Sequence, residues 1–281
     1  LKAIVFPREQ IVSQLHAAFD RIKSDVIVFH TDLMRIGIIN QVKPRDQLLS
    51  DYWSVIQEVV GDRCLLFPTF NYGFCRDGVY NVETSPAEVG VLNEYIRQLD
   101  PNQRTRTPVF NFCICNNNDL SLSALENPFS VESTFGELVE AKARIVFFGA
   151  RFSGNTFIHH VEEIMNIGYR YIKPFAGVII EPDGTSQKIT LQYRVRPLDG
   201  GLTYDWEALE VDLDAKGLLG KQPLGQGFLM HYRADLLLEY WSAKIQEDEL
   251  YLLTPDARSH TKSLYKTYGY PLTFSTIEGL D

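Results

Sequence analysis

The chain has 281 residues, 45% hydrophobic and 22% charged, the balance of a globular protein with room for one or two domains. Its 27 basic and 36 acidic residues leave a net charge of −9, which argues against the basic footprint of a nucleic-acid binder. No apolar run approaches the ~20 residues of a membrane span, and the opening "LKAIVFPREQ" lacks the apolar core of a signal peptide.

In chain order, Pro7 opens a helix whose apolar positions are Ile11, Val12, Leu15, Ala18, Phe19 and Ile22. Asp25 to His30 reads as a short buried strand, and "TDLMRIGII" as a strand-to-helix turn. Gln47 to Val60 is an amphipathic helix, followed by a second buried strand, Cys64 to Pro68. Strand, helix, strand in that order predicts a parallel α/β arrangement. A loop rich in turn residues, "FNYGFCRDGVYNVETSP", leads to a helix expected from Pro86 through Leu99. "RTRTPVFNFCICNNN" reads as an arginine-bearing turn feeding a strand. Thr134 to Ala141 is a short helix, Arg144 to Gly149 a third buried strand, and "GNTFIHHVEEIMNIG" a turn and helix. Alternation around Pro182-Asp183-Gly184 predicts a β-hairpin. Leu202 to Leu213 and Ala234 to Gln246 read as helices, with a strand near Phe228 to Tyr232 between them. The expected fold is a three-layer α/β/α single domain over residues 1–281. Its central sheet would be mostly parallel, with an antiparallel hairpin sub-region from about residue 172.

Three groups of residues carry chemistry. In "NTFIHHVEE", a helix capped by Thr156 puts His159 and Glu162 on one face at i, i+3, and His160 and Glu163 on another about 100° away. A carboxylate beside an imidazole fixes its tautomer and raises its basicity, as a general base requires. The same spacing also produces plain helix-surface ion pairs. The zinc motifs HExxH and HxxEH are both absent. In "VIVFHTDLMRIG", His30 and Thr31 end a strand where backbone N–H groups become available, without a Walker lysine or a GxGxxG. In "RTRTPVFNF", Arg104 and Arg106 suit phosphates or carboxylates, or a solvated turn. Cys64, Cys75, Cys113 and Cys115 match neither a zinc ribbon nor CxxC, so reduced thiols and a cytoplasmic location are expected.

The order of "VFHTDLMRIG", "LLFPTFNYGF", "ETSPAEVGVLNEYIRQL", "RTRTPVFNF", "ESTFGELVEAKARIVFFGA", "NTFIHHVEE" and "PLGQGFLMHYRADLLLEY" resembles the aminoglycoside 3-N-acetyltransferase family, over roughly Val26 to Tyr240. The resemblance implies acetyl transfer from acetyl-CoA, as co-substrate, to an amine of a sugar-like acceptor. By position it implies His159 as the catalytic imidazole, Glu162 as its partner and Thr156 as a hydroxyl near the thioester. It places His30, Thr31, Asp32 and Leu33 at the CoA cradle, Thr69 and Arg104 along the cleft, and Ser133 at a helix bordering it. The chain departs from the family at Asp32, where Ser or Thr is usual, and at Thr107, where His is usual. The expected partners are a small-molecule amine and an acyl-CoA, without nucleic acid, membrane or metal; the chain could also pair as a homodimer. Two rival readings remain open: a metal-dependent hydrolase using His30, His159 and Glu162, and a non-catalytic relative that binds CoA or sugar.

Overall fold

A computed structural model describes residues 4–100, 103–116 and 119–279. The first half runs β1 (Val5–Phe6), α1 (Arg8–Phe19), β2 (Val26–Thr31), β3 (Ile38–Ile39), α2 (Arg45–Val60), β4 (Cys64–Pro68), α3 (Phe74–Asp77), β5 (Val79–Asn81), α4 (Val91–Leu99) and β6 (Phe112–Cys115). The second half runs α5 (Thr134–Glu140), β7 (Arg144–Phe148), α6 (Ile158–Ile164), β8 (Tyr171–Ile180), β9 (Ser186–Val195), α7 (Trp206–Ala215), β10 (Gly220–Leu224), β11 (Gly227–Arg233), α8 (Ala234–Glu247), α9 (Pro255–Tyr268) and α10 (Phe274–Glu278).

The main sheet has the order β10-β11-β7-β2-β4-β6. Only its centre is parallel: β2 runs with both β7 and β4. The flanking strands β6, β11 and β10 are antiparallel to their neighbours. The sheet is therefore mixed, where a mostly parallel one was expected. The reason lies at its edges. β10 carries Pro223, which lacks a ladder donor and suits an edge strand, and it leads into β11 through the tight turn Gly225-Gln226. Strand alternation sends side chains to opposite faces, and each face has its own core. Val26, Val28, Leu66, Ile145 and Phe147 belong to one core, and Ile27, Phe29, Leu65, Val146 and Phe148 to the other. The second core also holds the apolar stripes of α1 and α2, with Ile11, Leu15, Leu49, Tyr52 and Ile56 all buried.

The hairpin is β8 and β9, paired over ten residues from Tyr171↔Val195 to Ile180↔Ser186, with β5 added parallel to β8. Three expected helices start later than their sequence pattern, among them Leu202 to Leu213, observed as α7 from Trp206. α4 starts at Val91, because Gly90 holds φ at +70° and turns the chain, while the Glu94 carboxylate takes the Ala87 N–H at 2.7 Å. α6 starts at Ile158 with Phe157 at the cap and no side-chain cap bond, so Thr156 lies outside the helix it was expected to cap.

This topology decides where a site can form. The parallel strands β7, β2 and β4 all end on the same side, and crevices beyond the carboxyl ends of parallel strands are where α/β folds bind ligands. Gly149, just past β7, lets that segment pack closely against the end of β2: a Cβ there would lie 2.4 Å from the Asp32 carbonyl, and its φ is +72°.

Candidate active site

A cavity of about 440 Å³ opens at those strand ends. β2 contributes His30 and Thr31, β4 and the turn after it contribute Pro68 and Phe70, and the segment after β7 contributes Ala150 and residues 153–156. Asn93 of α4, His159 of α6, and Tyr204 and Trp206 at the start of α7 close it. Thr31 donates to Asn93 Oδ1 at 2.7 Å, and Asn93 Nδ2 donates to the Pro68 carbonyl at 2.7 Å, which ties three elements together on one wall.

Two lining residues of this cavity, His159 and Tyr204, are joined to a carboxylate, and it is the same one, that of Glu162. His159 Nδ1 is 2.9 Å from Glu162 Oε2, with the imidazole side chain 24% exposed and Glu162 1% exposed. The Glu162 carboxylate is surrounded. Tyr169 and Tyr204 donate to Oε1 at 2.9 and 2.7 Å, and Arg170 Nε stands 3.0 Å from Oε2. Arg170 also donates to the Tyr204 hydroxyl and lies over the Tyr204 ring at 5.5 Å. Burial alone would raise the Glu162 carboxyl, but Arg170, His159 and Tyr204 outweigh it and hold it below the usual carboxylate range. Burial, then the Arg170 cation, lowers the His159 imidazolium against the opposing pull of Glu162. The imidazole is therefore neutral near pH 7. With Nδ1–H directed at an ionised carboxylate, the lone pair lies on Nε2, at the opposite side of the ring.

The second His-x-x-Glu pair is structural. His160 is 1% exposed, its Nδ1 lies 2.9 Å from the Phe129 carbonyl, and burial holds it down to about 4. Glu163 accepts from Asn127 Nδ2 at 3.0 Å and stands 3.0 Å from Arg194 of β9. One helix turn thus serves the cavity on one face and the core and hairpin on the other.

The remaining expected site residues divide. His30, Thr31, Thr156, His159 and, behind the wall, Glu162 come together at the cavity. The His30 ring stacks on Phe147 at 5.2 Å, and burial lowers it to about 4. Asp32 lies at the strand end, 3.3 Å from Arg35, and Leu33 is buried in the core of α1 and α2. Thr69, Arg104 and Ser133 do not line the cavity. Arg104 is fully buried and braces the scaffold, with Nε donating to Asn111 Oδ1 at 2.9 Å, Nη1 to Ser85 O at 2.6 Å and Nη2 to Thr69 O at 2.7 Å. Thr69 donates to Asn111 Oδ1 at 2.7 Å within the same network. Ser133 caps α5 and donates to the Ser130 carbonyl at 2.7 Å. Thr107 latches a loop by accepting from Leu125 N at 3.2 Å. Among the described residues, no three His, Cys, Asp or Glu side chains form a group able to hold a metal ion.

Sequence reasoning missed Tyr169, Arg170, Tyr204 and Trp206. The first two follow α6 directly, so an Arg close after "HHVEE" was a readable signal. Tyr204 lies 42 residues from Glu162, and nothing local marks it. Asn155 opens the quoted motif "NTFIHHVEE" but was given no role there; it is a cavity residue and 2% exposed. Its Oδ1 accepts from the Tyr232 hydroxyl at 2.6 Å, and its Nδ2 has no hydrogen-bond partner among the described residues.

A second cavity of about 400 Å³ adjoins the first and shares Ala150, Ser153 and Trp206 with it. Arg35, Arg151 and Lys221 line it, with Glu207 and Glu210. Lys221 is 2.9 Å from Glu210.

The family model described as aminoglycoside 3-N-acetyltransferase matches residues 28–246. No curated protein matches the chain in sequence. Solved structures do match in fold. The AAC(3)-IVa aminoglycoside acetyltransferase apoenzyme is 15% identical with a TM-score of 0.66, covering 93% of this chain and 100% of that one. AAC-IIIb in binary complex with CoASH is 18% identical with a TM-score of 0.70, covering 87% and 97%. The YokD protein from Bacillus subtilis is 16% identical with a TM-score of 0.67, covering 87% and 95%. The match of the family model spans well over half of the sequence, so the chain belongs to the aminoglycoside 3-N-acetyltransferase family and is an acetyltransferase.

Proposed function

We propose that the chain acetylates an amine of an amino sugar by direct transfer, with His159 as the general base and Glu162 as the residue that orients it. The observation that carries this reading is the neutral His159 at the cavity wall, its Nδ1 pinned 2.9 Å from a carboxylate that is 1% exposed.

An ammonium group has no lone pair, so the acceptor reacts as the free amine. As its nitrogen attacks the thioester carbon, His159 Nε2 takes one N–H proton. The C–S bond then breaks, the electron pair leaves on sulfur, and the imidazolium returns that proton to give CoASH and the N-acetyl product. Glu162 stabilises the transient imidazolium and keeps the productive tautomer. The tetrahedral oxyanion needs donors already in place. Asn155 Nδ2 suits this role, because Tyr232 fixes the opposite end of that amide and Asn155 lines the cavity. The Thr156 hydroxyl is the second candidate donor. The cations of the adjoining cavity, Arg35 and Arg151 above all, suit the phosphates of CoA. That route would leave the Asp32–Arg35 pair at its rim and bring the thioester in past Ala150 and Ser153, the residues shared by the two cavities.

The test is thiol release from acetyl-CoA with an amino-sugar panel. His159→Ala is expected to cut turnover by about 10²–10⁴-fold with the fold unchanged by circular dichroism. Near-normal turnover in that variant would remove His159 from the mechanism.

A further inference from the structure

The lining of the acceptor cavity is unusual for so acidic a chain. With 36 Asp and Glu residues in the sequence, none is among the described residues that line the 440 Å³ cavity. Glu162 lies behind the wall, 1% exposed, and its charge is already met by Arg170 at 3.0 Å. Of the acids around its edge, Glu210 pairs with Lys221 at 2.9 Å, and Glu207, next to Trp206, lines the adjoining cavity assigned above to CoA. Glu88 is exposed and accepts from Gly73 N at 3.1 Å, and Asp32 faces Arg35. What lines the cavity instead is aromatic and neutral. Phe70, Tyr72, Tyr204 and Trp206 supply rings, the last two packed edge to face at 5.1 Å. Thr31, Asn93 and Ser153 supply uncharged hydrogen-bonding groups.

This lining discriminates by charge. An ammonium group moved out of water without a partner costs several kcal/mol. The reacting amine escapes that cost, because it gives up its charge before or during attack. Every further ammonium on the same acceptor does not. A ring face can hold a cation, at about 0.5–2 kcal/mol, well short of that cost. A polyamine with three or more ammonium groups at neutral pH would therefore be bound poorly here. A sugar with one amine meets the lining well: hydroxyls against Thr31, Asn93 and Ser153, and an apolar ring face against Tyr204 or Trp206.

We propose that the acceptor is a mono-amino sugar, a body with one amine and otherwise uncharged, and that polycationic aminoglycosides are poor substrates. This rests on the acetyl-transfer reading above.

The experiment uses the full chain and acetyl-CoA. It compares kcat/KM for thiol release with 3-amino-3-deoxyglucose and with kanamycin A, which carries four amines, at 50 and 300 mM salt. The expected result is a kcat/KM at least tenfold higher for the monoamine. For that substrate, changing the salt would shift kcat/KM by less than twofold, since no carboxylate–ammonium attraction is there to screen. Equal or faster turnover of kanamycin A, with salt weakening it, would overturn the inference and leave the acetyl-transfer reading standing. Thiol release from neither amine nor from a wider amine panel, with acetyl-CoA still raising the melting temperature, would overturn both.

Discussion

Glu162→Gln tests the core of the site, because the structure predicts separate effects on stability and on turnover. The substitution keeps the shape and removes one charge. Arg170, with its side chain 7% exposed and Nε 3.0 Å from the lost oxygen, is left as a buried cation without its counterion. Breaking a buried pair from one side costs about 3–5 kcal/mol, a large share of the ~5–15 kcal/mol of a typical domain. The new amide also meets a conflict of donors. Its oxygen can still accept from Tyr169 and Tyr204, which places its NH₂ against His159 Nδ1 and Arg170 Nε. His159 then satisfies that NH₂ by moving its own proton to Nε2, the wrong tautomer for a base. Turnover is expected to fall about 10²-fold or more. Adding Arg170→Met removes the orphaned cation, and a neutral pair of similar volume is often as stable as the ion pair. Denaturant unfolding should therefore show the double variant recovering most of the lost stability, while thiol release stays at the level of the single variant. If the double variant is as unstable as the single one, the Arg170 charge is not what makes Glu162 costly to replace. If turnover returns with stability, Glu162 is a structural residue and not the partner of a base.

Three further outcomes follow from titration. Since burial and Arg170 lower His159 below 6.5, kcat under saturating substrates should fall on the acid side with its inflexion below pH 6.5, the proton having to leave before the imidazole can act. An inflexion above 7 would refute the assigned environment. In Glu162→Gln the inflexion should move lower still, because the lost carboxylate was the group raising it. Stability has its own acid limb. His30, His160 and His231 are each held to about 4 by burial, while an unfolded chain protonates them near 6.5. Between those values the unfolded state binds more protons, so unfolding free energy should decline as pH falls from 6.5 towards 4. A flat urea midpoint across that window would contradict their burial.

The sequence by itself determined the elements whose signal is local. The strands Val26–Thr31, Cys64–Pro68 and Arg144–Phe148 are short apolar runs bounded by turn residues, and each formed where expected within a residue or two. The same holds for the hairpin around Pro182-Asp183-Gly184 and for His159 with Glu162, since i, i+3 spacing on a helix guarantees a shared face. Only the tertiary structure decided the rest. Helical spacing offered two His-x-x-Glu pairs, and the choice between them depended on what each face met. His159 faced the crevice beyond the parallel strands, whereas His160 faced the Phe129 carbonyl. The antiparallel flanks of the sheet were equally invisible, because strand direction depends on which edge a distant segment reaches. Arg104 looked like an anion site in sequence, yet it folded inward onto Thr69, Ser85 and Asn111, because carbonyls brought from three segments met its five donors there. The charge around Glu162 was settled in the same way, by Arg170 just beyond the helix and Tyr204 far along the chain. Burial, charge partners and cavity lining belong to positions in space, and local pattern carries no record of which distant residues will share them.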